Sequence, residues 1–169
     1  MDNLLLGIEG EIPALRRYAR VLAGNRDKAD DLVQDCLVRA LSRAHLWRQP
    51  GNLRAWLFTI LRNIHLNQLR FAARHPVALS LMESDEPSMA GNQVSHLEVV
   101  EVLAAFAQLP CDEREVLFLV VAEGLRYREV ATLLGISVGA VMSRLARGRE
   151  KLRQLVGEPQ QAPRLRSVK

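Results

Sequence analysis

The sequence predicts an all-α protein made of two small helical domains joined by a flexible linker. Apolar residues recur with helical spacing along most of the 169 residues, and no segment sustains the alternation of a strand. The periodicity stops between His75 and Val94, where two prolines, a glycine and three acidic residues occur. We therefore expect a first domain at residues 1–74, a linker at 75–94, a second domain at 95–156 and a disordered tail at 157–169.

The charge composition is compatible with nucleic-acid binding without establishing it. The chain carries 23 Lys and Arg against 19 Asp and Glu, and only Lys28, Lys151 and Lys169 among the 23 are lysine. Arginine presents a planar fork of donors that suits phosphates and guanine edges. A GC-rich genome also supplies arginine codons, so composition alone leaves both explanations open.

The cysteines and the N-terminus indicate a cytoplasmic protein. Cys36 and Cys111 stand far apart and neither belongs to a Cys-x-x-Cys pair, so the sequence predicts no thiolate zinc site and no disulfide framework. The N-terminus carries Asp2 in place of a basic segment, and no window approaches the length of a membrane span. We expect free thiols, no cofactor and no association with a membrane.

Three helices are expected in the first domain. The first ends at a Gly-Asn pair, which is a common helix exit. Asp27 is predicted to cap the second, with Asp30 completing a loose capping box. A Pro-Gly loop at Arg48–Asn52 precedes the third. The helices are expected at Pro13–Ala23, Asp27–Ala44 and Leu53–Ala73.

Four helices are expected in the second domain. Ser95 and Glu98 form an S-x-x-E capping signature before an apolar run, which marks the first of them. The other three are expected at Asp112–Glu123, Tyr127–Leu134 and Ser137–Val156.

The last two helices have the layout of a helix-turn-helix. Ala131 is small enough for the two helices to cross closely, and Gly135 permits the sharp turn between them. Ser137 is a natural N-cap for the second helix. Ile136 and Val141 can fill the space beneath the turn.

The final helix has an apolar face beside a basic one. At about 100° per residue, Arg144, Arg147 and Lys151 fall within about 60° of one another. An ordinary helical hairpin with a solvated basic face would carry the same charges. The turn chemistry, the capped second helix and the clustered charge together favour DNA binding. The apolar face comprises Val138, Val141, Leu145, Leu152 and Leu155.

The second helix carries a stripe of acid, amide and valine side chains opposite its apolar face. Carboxylates near a first turn are favoured by the helix dipole, which accounts for Asp27 and Asp31 without any function. Asp35 lies beyond that turn, and the stripe also suits a docking surface for a basic partner. Both explanations stay open here. The stripe comprises Asp27, Asp31, Gln34, Asp35 and Val38, and the apolar face comprises Ala29, Leu32, Val33, Cys36 and Ala40.

The third helix divides into a polar side and an apolar side. A buried amide without a partner costs about 1–3 kcal/mol, so the asparagines are expected to face solvent. Asn and Arg beside an aromatic ring can bond and stack on unpaired bases. Trp56 fits a core position and a contact position equally well. The polar side comprises Trp56, Asn63, Asn67, Arg70 and Arg74, and the apolar side comprises Leu57, Ile60, Leu61 and Ile64.

Three motifs in one order resemble the extracytoplasmic-function sigma factors of bacterial RNA polymerase. They are ADDLVQDCLVRAL, LRAWLFTILRNIHLNQLR and the long segment that begins LPCDEREVLFLVV and ends in the helix-turn-helix. The resemblance covers about residues 10–155. The opening segment LRRYARVLAGNRDKADDLVQD is most similar to the alphaproteobacterial general-stress branch.

The resemblance assigns the first domain to core polymerase and to the −10 element. It implies that Asp31, Gln34, Asp35 and Val38 dock on the clamp helices of the β′ subunit. It also implies that the third helix and the loop at Arg48–Asn52 open the −10 element and hold a flipped base. The residues concerned on that helix are Trp56, Asn63, Asn67, Arg70 and Arg74.

The resemblance assigns the second domain to the −35 element and the β flap, and it implies an anti-sigma factor as a further partner. The linker, with Glu83, Asp85 and Glu86, is similar to the segment that runs toward the RNA exit path. The residues implied in −35 binding are Ser137, Val138, Ser143, Arg144, Arg147 and Lys151.

The sequence departs from the family pattern at two places. Met142 stands where many relatives carry Lys, and Leu46–Asn52 follows no recognised family pattern.

Two alternatives to a sigma factor stay open. One is a sigma-like decoy that sequesters an anti-sigma factor, and the other is a stand-alone helix-turn-helix regulator. An enzyme is not expected, because no nucleophile-base pair or metal-ligand spacing occurs and the histidines are scattered. These are His45, His65, His75 and His96.

Overall fold

The computed structural model describes residues 2–47, 51–75 and 96–156, and within these ranges it contains seven α-helices and no strand. The predicted all-α class is therefore confirmed. A 3₁₀ turn at Ala44–Leu46 and a π-helical turn at Phe118–Ala122 supplement the helices. The helices are α1 (Asp2–Ala23), α2 (Arg26–Ser42), α3 (Leu53–Arg74), α4 (His96–Ala107), α5 (Cys111–Leu117), α6 (Tyr127–Leu134) and α7 (Val138–Val156).

Several expectations fall outside the described residues. They are the loop residues 48–50, the linker at 76–94 with Glu83, Asp85 and Glu86, the capping residue Ser95, and the tail at 157–169.

The first three helices form a bundle around a buried apolar centre. Leu57 and Leu61 of α3 are fully buried, as is Cys36 of α2. The inward face predicted for α3 is confirmed, with Phe58 as an additional member. The buried set on α2 is Ala29, Leu32, Val33, Cys36 and Ala40, as periodicity predicted.

The expected start of the first helix was wrong, because α1 begins at Asp2 and runs through Pro13. A proline inside a helix removes one backbone hydrogen bond. Packing of the preceding turns offsets that loss. Ile8 is buried, and Gly7 lies so close to α3 that a Cβ there would approach Leu53 Cδ2 to 2.9 Å.

The cap of α2 was also assigned to the wrong residue. The side chain of Asn25 accepts hydrogen bonds from the backbone amides of Asp27 (2.8 Å) and Lys28 (3.1 Å). Asp27 is therefore a residue of the first turn that donates to the cap. The helix ends at Ser42, short of the predicted Ala44, and a 3₁₀ turn follows.

The helix expected at Asp112–Glu123 is interrupted. The α-helix ends at Leu117, and the amide of Glu123 donates to the carbonyl of Phe118 (3.1 Å) in a π-helical turn. A π turn adds one residue, which rotates everything after it by about 100°. Glu123 follows the turn and is buried.

The helix-turn-helix is formed as predicted. Gly135 adopts φ 68°, and the amide of Ile136 donates to the carbonyl of Ala131 (3.0 Å). The Ser137 hydroxyl accepts from the amide of Ala140 (3.1 Å), which confirms the cap of α7. The axes of α6 and α7 meet at 102°. Among the described helices none is alone long and apolar enough to cross a membrane, although this bent pair reaches the length and composition together.

The two halves share one apolar core centred on Tyr18 of α1. Its ring centroid lies 4.7 Å from that of Phe58 on α3 and 5.8 Å from that of Phe118 after α5. The second of these contacts is almost parallel, with an interplanar angle of 5°. Aromatic pairs at such distances stabilise beyond simple area burial. The described parts of the two halves are therefore packed against each other.

Glu115 of α5 is bonded to two side chains of the first half. It accepts a hydrogen bond from the Tyr18 hydroxyl (2.6 Å) and another from Arg62 Nε (2.9 Å). Burial, followed by the neighbouring carboxylate of Glu115, raises the pKa of Tyr18 well above its ordinary value. The tyrosine hydroxyl is thus held protonated as a donor.

Glu123 binds two arginines of the first half. Its carboxylate accepts from Arg17 Nε (2.8 Å) and Arg54 NH1 (3.2 Å), and its side chain is 0% exposed. Arg54 also donates to Glu11 (2.6 Å). This hydrogen bond raises the pKa of Arg54 against the opposing effect of burial.

A further hydrogen bond joins the start of α3 to α6. Asn52, the N-cap of α3, donates through Nδ2 to Glu129 Oε1 (2.8 Å). Partial burial acts to raise the pKa of Glu129, but the hydrogen bonds from Asn52 and from the amide of Arg126 outweigh it and lower that pKa.

Replacing Tyr18 by phenylalanine is expected to lower the free energy of unfolding by about 1.5–3 kcal/mol, because a charge-assisted hydrogen bond to a buried carboxylate is lost. Urea denaturation measures it. Tyr127→Phe, on a side chain that is 37% exposed, is the matched control and should change stability by less than about 0.5 kcal/mol. Equal effects of the two changes would contradict the assignment.

His65 on α3 is expected to make stability depend on pH. Burial, the largest effect, lowers the pKa of His65 below 6.5, with Glu115 opposing this and Arg62 adding to it. The unfolded chain then binds more protons, so stability falls as the pH drops below about 6.5. Unfolding measured from about pH 5.5 to 8 should be less pH-dependent for His65→Gln, and unchanged for the exposed control His45→Gln. Equal pH dependence in His65→Gln and the parent would refute this.

Candidate nucleic-acid interface

The α2 surface is defined here as Asp31, Gln34, Asp35 and Val38, and all four side chains are exposed. Val38 is 69% exposed, although it is a large apolar residue. Leu41, one turn further, is 47% exposed. An acidic surface with apolar side chains at its edge repels DNA and suits a protein partner with basic residues.

The α3 surface is defined as Asn63, Asn67, Arg70 and Arg74, and all four are exposed on one side of the helix. Arg70 donates to the side-chain oxygen of Asn67 (3.3 Å). The outward direction predicted for the two asparagines is thus observed. Their amides carry both donors and acceptors, which is what recognition of base edges requires.

Phe71 is a residue of this region that the periodicity argument missed. It is 63% exposed and its ring stacks on His75 with centroids 4.4 Å apart. An exposed aromatic next to Arg70 offers a stacking platform for an unpaired base. Its position four residues after Asn67 was the available signal, because i and i+4 share one side of a helix.

Trp56 stands apart from the rest of the predicted polar side. It is half-buried near the start of α3, with its ring centroid 5.4 Å from that of Trp47. The Nε1 atom of Trp47 is buried and has no hydrogen-bond partner among the described residues. Trp47 directly precedes residues 48–50 in the sequence, and those residues lie outside the described ranges. The structure therefore places Trp56 against another aromatic, seven residues before Asn63.

The α7 cations are defined as Arg144, Arg147 and Lys151, and they lie on one flank of α7 as predicted. Each forms an ion pair with the first turn of α5, a feature the sequence argument did not find. Arg144 lies 3.0 Å from Asp112. Arg147 and Lys151 both contact Glu113, at 3.3 Å and 2.9 Å.

Other residues of α7 face solvent directly. Ser143 is exposed and its hydroxyl accepts from Arg147 NH1 (3.0 Å), and Ser137 and Val138 are exposed at the start of the helix. Val138 and Leu155, predicted on the packed face, are 37% and 45% exposed. The two ends of α7 are thus packed less closely than the helical spacing of its apolar residues predicted. Two further cations on the exposed side, Arg149 and Arg153, were not among the predicted contacts.

The arrangement separates two kinds of chemistry. The α2 surface is acidic, whereas the α3 surface and α7 carry guanidinium, amide and hydroxyl groups. Guanidinium and amide groups form paired hydrogen bonds with guanine and adenine edges, and guanidinium also binds phosphate. The chemistry that suits a basic protein surface and the chemistry that suits nucleic acid thus lie on different helices.

Family models match both halves of the chain. Residues 8–62 match the model described as the sigma2 domain of PhyR. Residues 100–152 match the model described as sigma-70 region 4. The first match ends within α3 and the second ends within α7.

Proteins of known function are similar along most of the chain. The ECF RNA polymerase sigma factor EcfG of Rhodopseudomonas palustris is 41% identical over 155 residues, which cover 92% of this chain and 86% of that protein. The ECF RNA polymerase sigma factor SigM of Mycobacterium tuberculosis is 32% identical over 144 residues, covering 85% and 71%.

Solved structures share the same arrangement of helices. The sigma factor RpoE of Bartonella quintana, solved with the anti-sigma factor NepR, matches with a TM-score of 0.78 and 32% identity over 92% of this chain and 98% of that one. CnrH, solved with the cytosolic domain of CnrY, matches with a TM-score of 0.62 and 29% identity over 88% and 84%. The anti-anti-sigma factor PhyR of Bartonella quintana shares the fold, with a TM-score of 0.55 at 15% identity.

Proposed function

The chain belongs to the extracytoplasmic-function sigma factors, promoter-specificity subunits of bacterial RNA polymerase, and from that premise we propose how its surfaces divide the work. The observation that carries the function is 41% identity to a sigma factor over 92% of the chain, together with the region 4 match at residues 100–152. The similarity to EcfG and to RpoE places the chain with the general-stress branch.

The α2 surface docks on the clamp helices of the polymerase β′ subunit. Its exposed carboxylates, Asp31 and Asp35, favour a basic partner, and Val38 adds apolar area at the edge of the contact. Charge steers the approach, and the apolar contact slows dissociation. Among the described residues, the carboxylate of Asp35 accepts one long hydrogen bond, 3.5 Å, from Gln68 Nε2.

The α3 surface meets the opened −10 element. Asn63 and Asn67 can bond the exposed edges of unpaired bases, and Arg70 and Arg74 can bind the strand's phosphates. Phe71 adds a stacking platform next to them. Trp56, which packs on Trp47, acts at the edge of this region beside the loop at residues 48–52.

The helix α7 reads the −35 element in the major groove. The β flap of the polymerase binds the second half of the chain and holds it in place. Ser137, Val138 and Ser143 are exposed toward the start of the helix, where a recognition helix contacts bases. The α7 cations follow along one flank.

Promoter opening needs the polymerase as well as the chain. Opening roughly ten base pairs at about 1.4 kcal/mol per step costs on the order of 14 kcal/mol. Specific DNA recognition exceeds non-specific binding by only about 4–10 kcal/mol. The isolated chain is therefore not expected to melt DNA, and it acts in the cytoplasm as a dissociable, non-catalytic subunit.

An anti-sigma factor is a further partner. RpoE and CnrH, both similar to this chain, were solved in complexes with NepR and CnrY. We expect an anti-sigma factor to bind this chain and to occlude the α2 surface and the helix-turn-helix.

A decoy that sequesters an anti-sigma factor is the second candidate. The match of residues 8–62 to a PhyR model favours it, because PhyR is described as an anti-anti-sigma factor. In vitro transcription with core polymerase on a genomic promoter library separates the two. Specific initiation supports the sigma function, and its absence with an active core enzyme supports the decoy.

Asp35→Arg is expected to weaken binding to core polymerase at least tenfold, because it places a cation opposite a basic partner surface. A pull-down or titration with β′ measures the loss. Glu9→Arg makes the same charge change at an exposed position of α1 and is the matched control. Equal binding by the two variants would rule out the α2 surface as the docking site.

Arg144→Ala is expected to weaken binding to the −35 element by about 1–3 kcal/mol in the holoenzyme. Competition binding with promoter fragments measures the affinity. Arg20→Ala removes the same charge from an exposed site on α1 and should leave promoter affinity unchanged. Unchanged affinity for Arg144→Ala would exclude that residue from −35 recognition.

A further inference from the structure

Helix α5 crosses α7 closely at a glycine. Gly148 is buried, and a Cβ at this position would lie 3.3 Å from the carbonyl oxygen of Glu113 and 3.4 Å from its Cβ. The close approach brings the first turn of α5 between Arg147 and Lys151, the two cations that flank this region of α7.

Glu113 is the carboxylate that this crossing buries. Its side chain is 7% exposed, although it carries a charge. Arg147 Nε donates to Oε1 (3.3 Å), Lys151 Nζ donates to the same oxygen (3.0 Å), and Nζ also lies 2.9 Å from Oε2. Two cations thus neutralise one nearly inaccessible carboxylate, which satisfies the requirement that a buried charge be paired.

Arg147 is held at two points as a result. Nε donates to Glu113, and NH1 donates to the hydroxyl of Ser143 (3.0 Å), one turn earlier on α7. The side chain is nevertheless 58% exposed, so the outer edge of the guanidinium faces solvent. Arginine reads guanine through a fixed planar fork, and a side chain fixed before binding loses little freedom on contact.

We propose that Glu113 is a positioning residue for −35 recognition: it fixes the guanidinium of Arg147 toward base edges and holds Lys151 back from indiscriminate phosphate binding. The inference rests on the proposed reading of the −35 element by α7. A mobile cation binds any phosphate and carries no sequence information, whereas a fixed fork discriminates between bases. Glu113 therefore contributes to specificity without touching DNA.

Asp112 provides a matched control one residue away. It pairs with Arg144 at 3.0 Å, but its side chain is 66% exposed and the contact is open to water. An exposed ion pair of this kind restrains its partner weakly. Neutralising Asp112 removes the same charge from the same turn of α5 while leaving Arg147 held by Glu113 and Ser143.

The experiment uses holoenzyme reconstituted from core polymerase and the full chain. It compares binding to two DNA fragments: a promoter selected with the unmodified protein, and the same promoter with a scrambled −35 element. Glu113→Gln keeps the volume and removes the charge. The preference for the intact promoter is expected to fall roughly fivefold or more, the discrimination of one well-read base pair. Binding to the scrambled fragment is expected to become more salt-dependent, by about one unit of slope for each cation released to a phosphate. Asp112→Asn should retain the preference.

A double-mutant cycle distinguishes positioning from a general structural effect. In an Arg147→Ala background, Glu113→Gln should cause a smaller loss of discrimination than in the parent, because Arg147 is absent and only the release of Lys151 remains. An unchanged preference in folded Glu113→Gln, or an equal loss in both backgrounds, would overturn the proposal. If Glu113→Gln does not fold, Glu113→Asp applies the same test: it keeps the charge, draws the carboxylate back from Arg147 and should lower discrimination. Absence of any preference in the unmodified holoenzyme would instead reject −35 reading itself.

Discussion

The burial of two carboxylates between the halves of the chain is the constraint on which the arrangement of the domains depends. Glu115 and Glu123 belong to the second half, and every side chain that neutralises them in the described structure belongs to the first. An unpaired carboxylate in such a site would cost several kcal/mol. The second half must therefore be oriented so that Glu115 faces Arg62. The same orientation must place Glu123 against Arg17 and Arg54. The ring of Phe118, stacked on Tyr18, adds apolar area to the contact between the halves.

The polar contacts between the halves add little to the stability of this arrangement. When the halves separate, the carboxylates and guanidinium groups regain water, so the polar part of the interface contributes little net energy in either state. Interfaces of this polarity within one chain resemble transient protein contacts. The bond from Asn52 to Glu129 connects the residue that caps α3 to the first helix of the helix-turn-helix. Movement of one half therefore changes the contacts of the other. The α2 surface faces solvent, so a partner can bind it before any such movement.

Local patterns predicted the features that depend on neighbours in the sequence. Helical spacing identified the buried sides of α2 and α3, and the cost of burying amides identified Asn63 and Asn67 as outward residues. Helical spacing could not predict that Glu123 would be buried, because its partner Arg17 lies 106 positions away. Helical spacing placed the start of the first helix too late, at Pro13, because the packing of Ile8 that compensates for the proline is a tertiary contact. The partners of the α7 cations were missed for the same reason, since α5 meets α7 only in the folded chain. The roles in promoter and polymerase binding rest on family resemblance, which periodicity does not contain.

The pairing of the α7 cations also decides what kind of DNA affinity this chain can have. Arg144, Arg147 and Lys151 face Asp112 and Glu113, so three positive charges and two negative ones leave one net positive charge on that flank. Affinity for DNA of any sequence grows with the number of phosphates that cations neutralise, and a cation already bound to a carboxylate adds little to it. On the α3 surface, by contrast, Arg70 and Arg74 form no ion pair within the described ranges. In the proposed reading of the −35 element by α7, this flank therefore adds little sequence-independent affinity, whereas Arg70 and Arg74 keep their charge available for a single strand. Under the same proposal, the energy of promoter opening comes from the polymerase.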